Sequence, residues 1–302
     1  MREHDESIIS QYFDLQLRPF EKLYSTFGLR SDEHSTVGRK TSGRVTAAYI
    51  LDGNSKIRSS FGAGVRFPAM YDYIYGSSTI VDKGGKLEEL QSERGLSFDL
   101  GYDTFLDNLD FGLNITYFKT EQKNPLFSNA RTGWVMRNGT GRNTSEGIEF
   151  NANWKPTNSK FGLNFGYTFT DSYDASTCDP DELAAYADNE CRLTGNKVAK
   201  AKVRVPRHAV ETNISYSMNQ NLKSFLKGKY IGETRDFGNT NDSWTDQILT
   251  DYFVFDLVHS YNLFDNYTIQ IGINNILDEK YQQAHEYSTM GRTFNFGLRR
   301  LY

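Results

Sequence analysis

The sequence predicts an all-β protein, an antiparallel up-and-down transmembrane β-barrel, with about thirteen or fourteen strands along the chain. Three observations predict it. Apolar and polar side chains alternate with period two in segment after segment, tight turns occupy every second junction with long connections between them, and the polar face is rich in Gly, Asn, Thr and Ser.

In LDFGLNITYFKT, residues 109–120, Leu109, Phe111, Leu113, Ile115 and Tyr117 alternate with Asp110, Gly112, Asn114 and Thr116. Successive side chains of a strand point to opposite faces, so this segment has one apolar and one polar face. The pattern recurs with Leu96, Phe98, Leu100 and Tyr102, with Phe161, Leu163, Phe165, Tyr167 and Phe169, and with Tyr267, Ile269, Ile271 and Ile273. In order along the chain, strands are expected near 7–17, 22–34, 40–51, 55–67, 93–105, 109–120, 130–137, 145–155, 161–171, 208–218, 222–234, 251–262, 267–277 and 292–302.

RPF, DGN, LDN, TNS, NQN and FDN supply the tight turns, with Asn, Asp and Gly at positions that require turn conformations. The connections between them are long, at 68–92, 172–207, 235–250 and 278–291. In an up-and-down sheet alternate junctions share an end, so one rim is trimmed and the other carries bulky loops, as in an outer-membrane barrel. Phe20, Phe105, Trp154, Phe161, Tyr261, Phe264 and Tyr267 lie beside the short turns, where an aromatic girdle at the inner interface belongs. A soluble β-sandwich also alternates, but it leaves Lys and Glu on its outer face, and here small neutral residues dominate, as a hydrated lumen requires.

Composition agrees with a long apolar surface on a chain that is polar on average. Among 302 residues there are 21 Phe and 19 Tyr but 3 Trp, 6 Pro and 2 Cys, with 38% hydrophobic residues. A net charge of −4 argues against nucleic acid as a partner. No apolar run reaches the roughly 18 residues of a membrane-crossing helix. The opening MREHDESIIS is acidic where a signal peptide would be basic, so either the protein is not exported or its true N-terminus is missing.

SSFGAGVRFPAMYDYIYG at 59–76 resembles the strand and Arg-x-Pro turn midway along the barrel of TonB-dependent outer-membrane receptors. NTSEGIEFNANW at 143–154 resembles the family's Gly-Ile-Glu strand, and GINNILDEKYQ at 272–282 its Asn-Ile-Leu-Asp segment. GRTFNFGLRRLY at 291–302 resembles its closing strand, with Phe294, Phe296, Leu298 and Tyr302 as the barrel-assembly signal and Arg300 departing from it where an apolar residue is usual. The matches follow the family's order and cover nearly the whole chain.

The resemblance implies a barrel of about 22 strands filled by an N-terminal plug. Residues 1–302 are then expected to be the C-terminal portion of such a barrel, incomplete and without the plug or the segment that pairs with TonB. An open sheet in hydrocarbon leaves two rows of unpaired backbone groups, so the remaining strands must come from the same longer protein or from a second chain. It further implies an integral protein of the Gram-negative outer membrane, in contact with lipid and lipopolysaccharide, that imports a metal chelate such as an iron–siderophore complex or cobalamin with energy from TonB acting through the plug. The alternative is a passive, porin-like channel; a barrel enzyme or adhesin is a third reading.

Cys178 and Cys191 flank the twelve residues between them in CDPDELAAYADNEC, where Asp179 and Pro180 read as the N-cap and first position of a short helix. With no CxxC and no nearby His the pair reads as a disulfide rather than a metal or redox site, closing the loop for roughly 3 kcal/mol in the chain-entropy treatment. Substrate-binding candidates are the aromatic and polar residues of the long loops: Tyr71, Tyr73, Tyr75, Phe127, Trp134, Arg142, Tyr173, Arg235, Trp244, His285 and Tyr287. Rigid aromatics with a few polar groups suit a large amphipathic chelate, although Tyr and Trp at strand ends also serve as interface anchors. The basic run from Lys197 to Arg207 suits an anionic chelate or lipopolysaccharide phosphates, or balances the acidic loop before it. The five His show no ligand spacing, and no Gly-x-Ser-x-Gly or phosphate loop occurs, so no catalytic residue, metal site or cofactor is expected.

Overall fold

The computed structural model describes residues 6–69, 72, 90–127, 136–139, 142–174, 193–194, 197–198, 200–240, 243–264 and 266–300. Thirteen long strands run β1 (Ile8–Phe20), β2 (Leu23–His34), β3 (Gly38–Ile50), β4 (Ser55–Arg66), β5 (Glu93–Leu106), β6 (Phe111–Lys123), β7 (Arg142–Trp154), β8 (Phe161–Asp174), β9 (His208–Ser217), β10 (Leu222–Ile231), β11 (Tyr252–Phe264), β12 (Tyr267–Asn274) and β13 (Thr293–Arg300). They form one sheet in sequence order, and Lys200–Ala201 adds a fourteenth short strand beside the end of β8. Every pairing is antiparallel, and among the described residues β1 pairs only with β2 and β13 only with β12.

The register carries the alternation across the sheet. Phe27 lies opposite Val45, Val45 opposite Phe61 and Phe61 opposite Phe98. Further on, Ile115 meets Phe150 and Tyr117 meets Ile148. Ile214, Leu226, Leu257, Ile273 and Phe294 then continue the row strand by strand. A one-residue slip anywhere would turn a whole strand over, so this continuity fixes the register. The apolar face is outward and uncovered: Phe61 is 53% exposed, Phe296 74% and Leu298 62%, while Leu90, Leu249 and Tyr252 are the buried hydrophobic residues among those described. A soluble sandwich would cover that face with a second sheet; a barrel wall presents it to lipid.

The opposite face is held together by polar side chains. Arg58 donates to Asp103 at 3.1 Å and to Thr116 Oγ1 at 2.7 Å, Lys56 lies 3.6 Å from Asp103, and Asn114 donates to the same carboxylate. Toward the other edge of the wall, Ser10 donates to Asp32 at 2.5 Å and Arg30 at 2.9 Å.

The tight turns form by side-chain capping of their own backbone. Asp52 accepts from the Asn54 N–H at 2.9 Å, and Asn219 accepts from Asn221 and Leu222 at 2.9 and 2.8 Å. Asp110, in the left-handed region at φ 47°, ends the single turn of 3₁₀ helix at Asp107–Leu109, and its carboxylate accepts from Thr157 N at 2.8 Å, joining two neighbouring turns.

Two expectations need correction. The strand expected at 130–137 does not cross the sheet. β6 pairs directly with β7, and the described Arg137–Asn138 instead pairs with Leu126–Phe127 in a short hairpin beyond the strand ends. The loop rim is also not uniformly long, since β2 and β3 are joined by three residues, with His34 Nδ1 accepting from Thr36 N at 3.1 Å. Cys178, Cys191, the helix start at Asp179 and Pro180, and Tyr302 lie outside the described residues.

Candidate functional site

The loop rim of the polar face is where strand ends and connections converge. Glu93, the first residue of β5, is 3% exposed. One of its carboxylate oxygens accepts from Arg66 Nη1 at 2.6 Å and the other from the Leu126 backbone N–H at 2.6 Å. Asn138 completes the brace, accepting from Gln91 N at 2.7 Å and donating to Gln91 O and Asn124 O at 2.9 Å. Below this brace is a concavity of about 430 Å³ lined by Arg66, Glu93, Ser97, Gln122, Asn143 and Lys202, polar groups from four strands and one loop.

A second concavity of about 400 Å³ lies between the wall and the last connection, with Glu211, Lys227, Lys229 and Asp256 on the strands and Tyr281 and Gln283 above them. Tyr252 stacks on Tyr281 with ring centroids 4.2 Å apart. That connection is shaped by Asn275, left-handed at φ 50°, whose amide donates to Glu279 O at 2.9 Å and accepts from Glu279 N at 2.8 Å. Asp278 accepts from Arg292 N at 2.7 Å, so the Asn-Ile-Leu-Asp motif is a brace for the loop.

Some of the residues expected to bind substrate come together here. Arg235 and Trp244 belong to the paired segments Thr234–Thr240 and Ser243–Leu249, and Arg235 Nη1 donates to Ala201 O at 2.8 Å. His285 and the 73% exposed Tyr287 belong to the neighbouring hairpin of Gln282–Ala284 with Tyr287–Ser288. Arg142 and Tyr173 lie elsewhere, in the register of the apolar face; Arg142 bonds Glu121 at 2.9 Å, and Tyr173 shares a side of β8 with Phe165, Tyr167 and Phe169. Phe127 pairs with Arg137 in the short hairpin. Tyr71, Tyr73, Tyr75 and Trp134 are outside the described residues.

Sequence reasoning missed Arg66, Glu93 and Asp236, while Lys202 belongs to the basic run it had singled out. For Arg66 and Glu93 a signal exists, since both fall on the polar parity of their strands at the loop end; nothing in the pattern marks Asp236. On the apolar face Ser224 bonds His259 Nδ1 at 2.8 Å, and among the described residues no acid or amide is bonded to the other ring nitrogen. No group of three metal-ligating side chains gathers among the described residues either.

The sequence model of the TonB-dependent receptor-like β-barrel family matches residues 2–276. The iron-regulated outer membrane virulence protein of Vibrio cholerae is 23% identical over 298 residues, an alignment covering 92% of this chain and 42% of that protein. The siderophore receptor PirA of Acinetobacter baumannii superposes with a TM-score of 0.72 at 16% identity, over 98% of this chain and 46% of that one. The ferric-catecholate import receptor Fiu of Escherichia coli K12 does so with a TM-score of 0.74 at 14% identity, over 98% and 44%. The chain thus spans less than half the length of these relatives, and the structural likeness establishes the fold. With its apolar face outward, its turns on one rim and its loops on the other, this chain belongs to the TonB-dependent receptor β-barrel family and forms part of the wall of an integral outer-membrane barrel.

Proposed function

We propose that this wall belongs to a receptor that imports an iron–siderophore complex across the outer membrane, with TonB acting through a plug held against the polar face. The observation that carries the reading is the polarised rim: buried Glu93 and the polar concavities stand at the loop end of a polar wall, on a barrel of the TonB-dependent family. Iron is favoured over cobalamin because the similar proteins bear the names of an iron-regulated protein and of siderophore and ferric-catecholate receptors. A passive channel would need an open lumen, and no observation favours it.

In this reading the loop aromatics Tyr71, Tyr73, Tyr75, Phe127, Trp134 and Trp244 and the groups Arg235, His285 and Tyr287 are the first contacts for the chelate, with Arg66, Lys202 and Gln122 below them, and Arg142 and Tyr173, in the register of the apolar face, are set aside. Lipid and lipopolysaccharide cover the apolar face, the latter against the basic run ending at Arg207. Phe294, Phe296 and Leu298 with Tyr302 form the assembly signal, and Cys178 bridges Cys191 in the loop. Uptake of radiolabelled ferric siderophores by cells carrying the complete receptor tests the function. Uptake that vanishes in a TonB-deficient strain supports it, whereas flux of small solutes indifferent to TonB would identify a channel. Retention of full binding by a variant that lacks the 172–207 loop and the Tyr71–Tyr75 segment would overturn the loop assignments.

A further inference from the structure

Three connections that are far apart in sequence meet at one side chain. Asp236, on the first strand of the hairpin between β10 and β11, is 0% exposed. Its Oδ1 accepts from Arg204 Nε at 2.9 Å, on the connection before β9, and its Oδ2 accepts from the His285 backbone N–H at 2.6 Å, on the connection before β13. The neighbouring backbone reinforces the meeting: Arg204, left-handed at φ 60°, donates its N–H to Arg235 O at 2.8 Å, and Arg235 returns a bond to Ala201 O at 2.8 Å. At Gly238 a Cβ would collide with Cδ2 and Nε2 of His285, so the imidazole rests directly on that glycine's backbone. A buried carboxylate is stable only when its oxygens are bonded, and here the bonds come from both neighbouring loops.

We propose that Asp236 is a positioning residue that latches residues 200–204, the 234–249 hairpin and the 282–288 hairpin into one unit and thereby sets the place of the His285 imidazole. Nothing in local sequence requires these loops to move together; the shared carboxylate does. The value of this placement to transport rests on the function proposed above, but the latch itself is measurable without any ligand.

Hydrogen exchange and diethyl pyrocarbonate labelling of the complete barrel in detergent test it, comparing wild type with Asp236→Ala and Arg204→Gln. In Asp236→Ala, amide exchange rises tenfold or more in all three segments, and carbethoxylation of His285 accelerates several-fold while His259, on the apolar face, keeps its rate. Arg204→Gln keeps the carboxylate and its His285 bond, and covers the case in which the first variant does not fold; exchange then rises in 234–240 and 282–288 as well as in 200–204. Exchange confined in each variant to the substituted segment, or His285 labelling at the wild-type rate, overturns the latch. Loss of siderophore uptake with the latch intact would instead count against the function.

Discussion

Substituting Glu93 by glutamine and by alanine separates the two bonds that its buried carboxylate makes. Arg66 is 62% exposed, so its ion pair with Glu93 resembles a surface pair worth about 0.2–1 kcal/mol. The Leu126 N–H is part-buried, and losing the Glu93 oxygen as its acceptor costs about 1–3 kcal/mol. Glu93→Gln keeps an oxygen for Leu126 and gives up the charge, so it should cost about 0.5 kcal/mol. Glu93→Ala gives up both and should cost about 2 kcal/mol or more, roughly a thirtyfold rise in exchange at the Leu126 amide. The assay is residue-resolved hydrogen exchange across 90–93, 124–127 and 136–139 in the complete barrel. Equal exchange in the two variants would show that the charge, and not the acceptor, holds this part of the rim, and the account of the brace would fail.

Three further outcomes are expected. Ile115→Arg, on the apolar face near the middle of β6, should destabilise the barrel in vesicles by about 2–4 kcal/mol, while Asn114→Arg on the opposite face should be far milder; equal urea midpoints would contradict the assignment of faces. Gly147→Ala should cost about 1–3 kcal/mol, because the added Cβ strikes the Phe169 carbonyl oxygen and comes within 2.8 Å of Phe118 Cζ, and Phe118→Ala should recover only part of the loss in the same titration. The Asn54 N–H bond, followed by weaker bonds to Ser55 and the charge of Lys22, holds the Asp52 carboxyl below the usual carboxylate range. A depressed folded value means that the turn gains stability above about pH 4 and loses it as pH falls through the lower value, so an NMR titration of the Asn54 amide should give a midpoint below that of an ordinary aspartate; a midpoint at or above it would refute the bond.

The strands were legible because a membrane barrel has two solvents, and each imposes itself on every second residue. Phe98 and Ile115 could be assigned to a face from parity alone, and the register across β4, β5 and β6 agrees. The misreading at 130–137 came from taking a short apolar-polar alternation by itself. The turns already spoke against it: LDN and TNS both lie on the trimmed rim, so only one connection at the other rim fits between β6 and β7, and a crossing strand there would have inverted every later turn. At the rim the sequence carries a signal only where a strand continues into it, as at Glu93, which parity would have placed on the polar face although it was not picked out. Asp236 lies in a polar stretch, and its burial arises from loops that arrive from residues 204 and 285; a contact of that kind leaves no period in the sequence.

The antiparallel order has a further consequence at the two edges. β1 and β13 are the first and thirteenth of strictly alternating strands, so both run from the loop rim toward the turn rim. Pairing β1 to β13 would therefore put two parallel neighbours at the seam. A second copy of the chain in the same membrane orientation would meet the same mismatch at both seams, since its edges also descend. A fully antiparallel closure of this wall therefore needs neighbours that ascend at both edges, an odd number of strands in all, and a second copy in the same orientation would close it only through parallel seams.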